Sequence, residues 1–263
     1  MIIHNEISDD IKFLATSEIR LKILSEIYNK PSSARRLLKK TKITYSSISS
    51  NLAKLEENNH IRRVNNKYHI TPMSEIYFKT LMDFKSSIDI ISDFDDFWDK
   101  HDLNQLSADC LKNITDLKGS ELIETTPIDI YRTHNTVKEH LMKSKSLKAI
   151  FPYLHPEYPQ LIENILNNDG YVELIIQRGI YQEIISQIDF KTRTKSSKAG
   201  KLKIYPINDD LKVYLTICDE TMSLGLFKND GSFDQNRILI CESEKSKRWA
   251  ETLFESIKGE VIE

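Results

Sequence analysis

A chain of 263 residues with 40% hydrophobic and 29% charged positions has the length for two domains and the composition of a protein with a real core. No apolar run approaches the roughly 18 residues of a membrane span, MIIHNEISDD lacks the pattern of a secretory signal, and Cys110, Cys218 and Cys241 form no CxxC pair, which excludes a cysteine-based zinc site and predicts a cytoplasmic protein. The net charge of −2 conceals a split: positions 30–70 carry ten basic against two acidic residues (+8) and positions 83–129 four against twelve (−8), so the first segment is suited to a polyanion.

Ser17 precedes Glu18 and can cap a helix running to about Tyr28, with Ile19, Ile23, Leu24 and Ile27 on one buried stripe. Asn29-Lys30-Pro31 ends it. A shorter helix starts near Ser33, turning Leu37 and Leu38 inward and Arg35, Arg36, Lys39 and Lys40 outward. Thr44 then caps a third helix, about Tyr45–Asn58, whose inward set is Ile48, Leu52 and Leu55. Its outward face offers Tyr45, Ser46, Ser47, Ser49, Ser50, Asn51 and Lys54. Serine and asparagine are weak helix formers, so a merely solvated face would favour Glu, Lys, Gln or Ala. Short donors and acceptors fit a major groove instead.

Two alternating runs, Ile61–Val64 and Lys67–Ile70, flank Asn65-Asn66 and read as a hairpin made basic by Arg62, Arg63 and Lys67. Thr71-Pro72 restarts a helix. Three helices, a basic hairpin and a fourth helix make a winged helix. The string from Arg20 to Thr71 also resembles the winged helix-turn-helix of archaeal and bacterial repressors. Ser46, Ser49, Leu52, Leu55 and Glu56 match that family's recognition helix, and Tyr68, Ile70 and Thr71 match the end of its wing. The family's glycine after the recognition helix is replaced by Asn58-Asn59, a mild departure because Asn tolerates a left-handed cap. The DNA-binding set is therefore Ser33, Arg35, Arg36, Thr44, Tyr45, Ser46, Ser47, Ser49, Ser50, Asn51, Lys54, Arg62, Arg63, Asn65, Asn66 and Lys67.

Helix formers and apolar spacings continue through 73–118, with one helix expected to about Ser92 and another from about Ser107 to Leu117. Residues 81–125 are read as a helical connector after a DNA-binding domain at 1–80. Its apolar positions suit either a dimer seam or packing within the subunit.

From Thr126 the period changes, and 126–263 reads as a separate α/β domain. Leu147–Phe151, Val172–Ile176, Leu202–Ile207, Val213–Ile217, Met222–Phe227 and Arg237–Cys241 have the continuous apolar character of strands covered on both faces. Helices are expected at Val137–Ser144, Pro159–Asn168, Gln182–Ile188 and Lys245–Ile257, the last with Trp249, Leu253, Phe254 and Ile257 inward. Residues 191–201 lack an apolar period and read as a mobile basic loop. The fold class is thus α+β in two domains.

This half resembles the effector domain of archaeal winged-helix regulators of the methanogen kind and, more distantly, TrmB-type sugar-responsive regulators with a phospholipase D-like sensor. The resemblance rests on Phe97–His101, Thr133–Leu141, Val172 after Asn168-Asp169-Gly170, Cys218-Asp219, Arg248-Trp249-Ala250 and Leu253-Phe254. It implies an α/β sandwich of phospholipase D type. Enzymes of that type need His-x-Lys-x4-Asp. With Asp219 as the acid, Lys212 and Tyr214 stand where His and Lys belong, so the nucleophile is missing. Among His4, His60, His69, His101, His134, His140 and His155 no pair has metal-ligand spacing on one helical face, and each reads as exposed or internally satisfied. No Walker A, GxSxG or GxGxxG motif occurs.

The sequence thus points to a transcriptional regulator that is not an enzyme, binds double-stranded DNA as a homodimer, and needs no cofactor or metal. Its α/β domain would sense a small molecule through polar or aromatic strand-end residues: Tyr131, Tyr153, His155, Arg178, Lys212, Tyr214 and Asp219. A DNA-binding head fused to a phosphodiesterase- or nuclease-like domain is the alternative.

Overall fold

In the computed structural model, which describes residues 9–207 and 211–262, the side chain of Ser17 accepts a hydrogen bond from the Arg20 N–H and opens a helix at the expected place. His4 lies outside the described residues. The chain divides into two units, Met1–Ser86 and Ser87–Glu263. In the first, α1 (Asp9–Ala15) precedes α2 (Glu18–Asn29), α3 (Ala34–Thr41) and α4 (Tyr45–Glu57). Hydroxyls of Ser33 and Thr44 cap α3 and α4 by accepting from Arg36 N and Ser47 N. Ile23, Leu24, Ile27, Leu37, Ile48, Leu52 and Leu55 form one buried cluster. α1 is absent from the sequence reading, yet it contributes Leu14 to that cluster and Phe13 to a stack on His60.

The hairpin has the expected limits, β1 (Ile61–Val64) and β2 (Lys67–Ile70), in antiparallel register with Arg62 opposite His69 and Arg63 opposite Tyr68. Asn65 and Asn66 both take the left-handed conformation, φ 49° and 63°, which a two-residue turn matched to strand twist requires. Asn59 (φ 58°) turns the chain out of α4. Ser32 bridges Tyr68 from outside, adding one residue pair to the ribbon. Thr71 caps α5 (Pro72–Asp93), with Pro72 as its first residue.

The second unit is built on a seven-stranded sheet of β3 (Glu121–Glu124), β4 (Ser146–Phe151), β5 (Tyr171–Gln177), β6 (Leu202–Ile207), β7 (Val213–Ile217), β8 (Met222–Leu226) and β9 (Arg237–Cys241). Its order is β3-β9-β8-β7-β4-β5-β6, parallel between β4, β5 and β6 and antiparallel elsewhere. Each face is covered. Ile150, Ile175, Leu215 and Leu224 belong to one cluster with Trp249, Leu253 and Phe254 of the final helix, and Ala149, Phe151, Leu174 and Ile176 to the other. Double coverage is why these strands read as continuous apolar runs. Helices α8 (Arg132–Lys143), α9 (Tyr158–Asn167) and α10 (Arg178–Gln187) supply the second cluster, and α12 (Glu244–Ile262) the first.

Two expectations need correcting. Residues beyond Ser86 do not form a separate connector. Phe97 and Trp98 on α6 (Asp95–Asp99), Cys110 on α7 (Ala108–Lys112), and Ile114 and Leu117 on a 3-10 turn all enter the core of the second unit. β3 from the same stretch pairs with β9 at the sheet edge. Residues 191–201 are not simply a loop: α11 (Phe190–Lys198) is a helix with Ser196 as its buried residue. Polar bonds specify it, since Asp189 caps it through Thr192 N and the Arg193 guanidinium donates to the Ile185 carbonyl. A helix held that way leaves no apolar period to read.

Candidate nucleic-acid interface and ligand cavity

α4 buries Ile48, Leu52 and Leu55 and exposes Tyr45, Ser46, Ser49, Ser50 and Lys54. Each buried aliphatic contributes about 1.5–3 kcal/mol, whereas each serine costs about 0.5 kcal/mol of helix propensity relative to alanine. Packing outweighs propensity, so the outer face is free to carry poor helix formers. Thr44 and Ser47 are partly committed to each other, with hydroxyls 3.0 Å apart. Asn51 is half-buried rather than fully outward, and its amide donates to the Ser47 carbonyl at 2.8 Å. Ser33 serves as the α3 cap.

Arg35 and Arg36 are exposed on α3, and Arg62, Arg63 and Lys67 are exposed on the hairpin. Successive residues of a strand face opposite sides, so Arg62 and Arg63 leave the ribbon in opposite directions. The Arg63 guanidinium donates to Asn66 Oδ1 at 2.8 Å and lies 5.7 Å over the Tyr68 ring, which pre-orders it. Among the described residues, no carboxylate lies within 4.0 Å of a charged nitrogen of Arg35, Arg36, Lys54, Arg62, Arg63 or Lys67. Cations left without carboxylate partners are what a phosphate-binding surface needs.

In the second unit, a cavity of about 360 Å³ opens where β4 ends and α8 and α9 begin. The carboxyl end of a parallel strand is the usual place for a ligand in an α/β sheet. Tyr131, His134, Tyr153, His155, Tyr158, Phe233 and Asn236 line it. Behind them Tyr214 is fully enclosed, its hydroxyl bonded to that of Tyr158 at 2.9 Å. Tyr153 packs on Phe233 at 4.7 Å. Burial pushes the phenols of Tyr153, Tyr158 and Tyr214 far above their ordinary range and keeps them neutral.

At the cavity's side, the rings of His134 and His155 stack with centroids 3.6 Å apart. His134 Nε2 lies 2.7 Å from Glu157 Oε2, while Lys138 binds Oε1 of the same carboxylate. The Lys138 ammonium and then the His134 ring hold the Glu157 carboxyl down at about 2. Burial, and then the neighbouring His134, push the His155 imidazole below its ordinary value.

Of the seven strand-end residues proposed from sequence, Tyr131, Tyr153 and His155 line this cavity and Tyr214 underlies it. The other three do not converge there. Arg178 is exposed at the start of α10. Lys212 pairs with Asp102 at 3.5 Å. Asp219 accepts from the Lys145 N–H at 2.7 Å and borders a separate cleft with His140 and Cys218. Strands end at both edges of a sheet, and an alternating chain does not reveal which edge a residue joins. Sequence reasoning missed His134, Glu157, Tyr158 and Phe233. Twenty-one positions separate His134 from His155, so no spacing signal joins them.

Comparison with known proteins locates both halves. Residues 8–93 match the HVO_A0261 N-terminal domain, and residues 130–260 match the middle domain of Methanogenesis regulatory protein FilR1. Methanogenesis regulatory protein FilR1 of Methanothrix harundinacea (strain 6Ac) is 24% identical over 248 residues, covering 93% of this chain and 56% of that protein. The chain therefore spans little more than half the length of that relative. TrmBL2, an archaeal chromatin protein, aligns with a TM-score of 0.43 and 10% identity over 96% of this chain and 98% of its own. An IclR transcriptional regulator from Alicyclobacillus acidocaldarius aligns with a TM-score of 0.25 and 10% identity over 97% and 98%.

Proposed function

We propose that this chain is a DNA-binding transcriptional regulator whose second unit binds a small-molecule effector in the cavity at the end of β4. The carrying observation is the first unit's surface, where an exposed face of Tyr45, Ser46, Ser49 and Ser50 sits with cations that lack internal carboxylate partners. In this reading α4 lies in a major groove and Arg35, Arg36, Arg62, Arg63 and Lys67 contact phosphates, with Ser33, Thr44, Ser47, Asn51, Asn65 and Asn66 shaping or joining the interface. The regulatory half of the reading draws on the match of residues 130–260 to the middle domain of a regulatory protein. Free cysteine thiols accord with a cytoplasmic location.

The effector domain is read as phospholipase D-like in kind and without its catalysis: Lys212 stands where the nucleophilic His belongs and Tyr214 where the phosphate-holding Lys belongs, and Tyr214 is sealed in the core. Dimerisation is assigned to α5, where Met73, Tyr77, Phe84, Ile88 and Ile91 share one helical face and are exposed.

Footprinting of the full chain on duplex DNA, including DNA upstream of its own gene, tests the proposal. Protection at low salt that weakens steeply as salt rises is expected. Absence of any protected duplex at low salt overturns it.

A further inference from the structure

We infer that His134, His155 and Glu157 form a binding site for one divalent transition-metal ion of the zinc type at the side of the cavity. Each residue offers one ligand atom, and these atoms lie within 4.8 Å of one another. Two ring nitrogens and one carboxylate oxygen suit zinc, which takes three protein ligands and an open fourth position where a water or a ligand group completes the tetrahedron. Bonds of about 2.0–2.2 Å set tetrahedral ligands roughly 3.3–3.6 Å apart. The widest-spaced donors therefore need to close by at most about 1.5 Å, while His134 Nε2 and Glu157 Oε2, 2.7 Å apart, must open by roughly 0.6–0.9 Å and the His134–His155 stack must open so that both rings aim at one point.

Three features favour a metal ion over a static ion pair. Glu157 presents two oxygens with separate duties: Lys138 holds Oε1 and fixes the carboxylate plane, while Oε2 faces His134 Nε2. A cation bound at Oε2 would replace the proton between them, and Lys138 would remain as the outer partner that orients a ligating carboxylate. His155 sits half-buried beside a second imidazole, its ring stacked on that of His134 with centroids 3.6 Å apart, so two ring nitrogens are available side by side. His134 and His155 both line the cavity together with Tyr131 and Asn236, so a ligand completing the coordination would come from there. A bound ion would thus give that cavity a Lewis-acidic wall.

This inference concerns the second unit and does not need the DNA-binding reading to hold. Its test is calorimetric titration of the full chain, stripped with chelator, with zinc chloride at pH 7.5, and in parallel an absorption spectrum with cobalt chloride. One zinc per chain at micromolar or tighter affinity is expected, weakening at least tenfold in each of His134→Gln and Glu157→Gln and unchanged in His140→Gln. Cobalt should give tetrahedral ligand-field bands without thiolate charge transfer. Circular dichroism of the stripped variants separates lost ligation from lost folding, and the wild-type cobalt spectrum stands independently of them. Failure to bind zinc at 1:1, a thiolate band, or equal affinity in the folded Glu157→Gln variant would each overturn the site. Footprinting separately decides the DNA reading.

Discussion

The imidazole of His101 joins Asp234, with its Nε2 3.1 Å from the Asp234 carboxylate and its Nδ1 on the Phe97 carbonyl, all inside the second unit. Both side chains are almost wholly buried. The pair ties the end of α6 to the loop between β8 and β9, next to Phe233 in the cavity wall. Removing His101 leaves one oxygen of the buried Asp234 carboxylate without its partner while Lys228 and the Asn236 N–H stay on the other, which costs about 1–3 kcal/mol. His101→Ala should lower urea-unfolding stability by that amount, and Asp234→Asn by less because the amide can still bond the ring. A loss below about 0.5 kcal/mol in His101→Ala would show that the pair is incidental.

On the hairpin, phosphate contacts should act alike on every sequence, whereas groove contacts should not. Arg62→Ala combined with Arg63→Ala is expected to weaken binding to all duplexes and to reduce the slope of log affinity against log salt by about 2. Ser49→Ala should instead change the preference among duplexes at one or two positions. Filter binding across a salt series with a randomised site distinguishes the two. Equal salt slopes in wild type and the double variant would mean that the hairpin does not touch the backbone.

The turn itself sets a steric requirement. Asn66 holds φ 63°, a region that costs a β-branched side chain about 1–2 kcal/mol. Asn66→Val should lower the melting temperature by several degrees and weaken DNA binding, since Arg63 also loses its Oδ1 acceptor. Asn66→Gly relieves the backbone requirement and should keep stability while still loosening Arg63. If Asn66→Val melts like the parent, the turn is not of the type described.

Local signals were the legible ones. Helix caps at Ser17, Ser33 and Thr44, the Asn65-Asn66 turn and six strands from β4 to β9 all sit within a residue or two of the positions read from sequence. Each depends on neighbours in the chain or on a period along one element. What could not be read depends on distant partners. β3 is four residues long and is a strand because Leu122 and Ile123 meet Leu239 and Ile238 of β9. α11 is specified by polar bonds, and α1 docks, among its described residues, through Leu14 and through Phe13 stacked on His60 and under the Arg20 guanidinium. The same limit applies to the cavity. His134 lies in the first turn of α8 and His155 in the loop between β4 and α9, and the packing of α8 against α9 brings their rings together.

Acid should act on the Glu157 cluster. Its folded pKa of about 2 lies below the ordinary glutamate value of 4.5. A depressed carboxyl contributes its stability fully above the unfolded value and loses it as pH falls from about 4.5 towards 2. Glu157 is nearly half exposed, so solvent screening keeps that contribution small. Comparing wild type with Glu157→Gln, the stability gap should narrow as pH falls across this window, provided metal is absent. A gap that is constant from pH 2 to 5 would show that the carboxylate gains nothing from Lys138 and His134.

The remaining question is what covers α5. Phe84 is 62% exposed and Ile91 48% exposed, and with Met73, Tyr77 and Ile88 they fall on one face at spacings of three, four and seven residues. A lone exposed apolar side chain needs no explanation, but five aligned on one helix leave a stripe that water disfavours. In the proposed dimer a second copy of the helix would meet the stripe with an identical stripe, as two-fold symmetry requires, and two heads would then read two half-sites. Phe84→Glu with Ile91→Glu places a carboxylate from each copy against its symmetry mate and should convert a two-chain species to single chains in sedimentation equilibrium. Those positions are exposed, so the melting curve of the separated chain should change little. DNA affinity should fall by tenfold or more on a two-half-site duplex and hold on a single half-site. If the wild-type chain already sediments as a monomer at tens of micromolar, the stripe serves some other partner and the assignment of α5 as a seam is wrong.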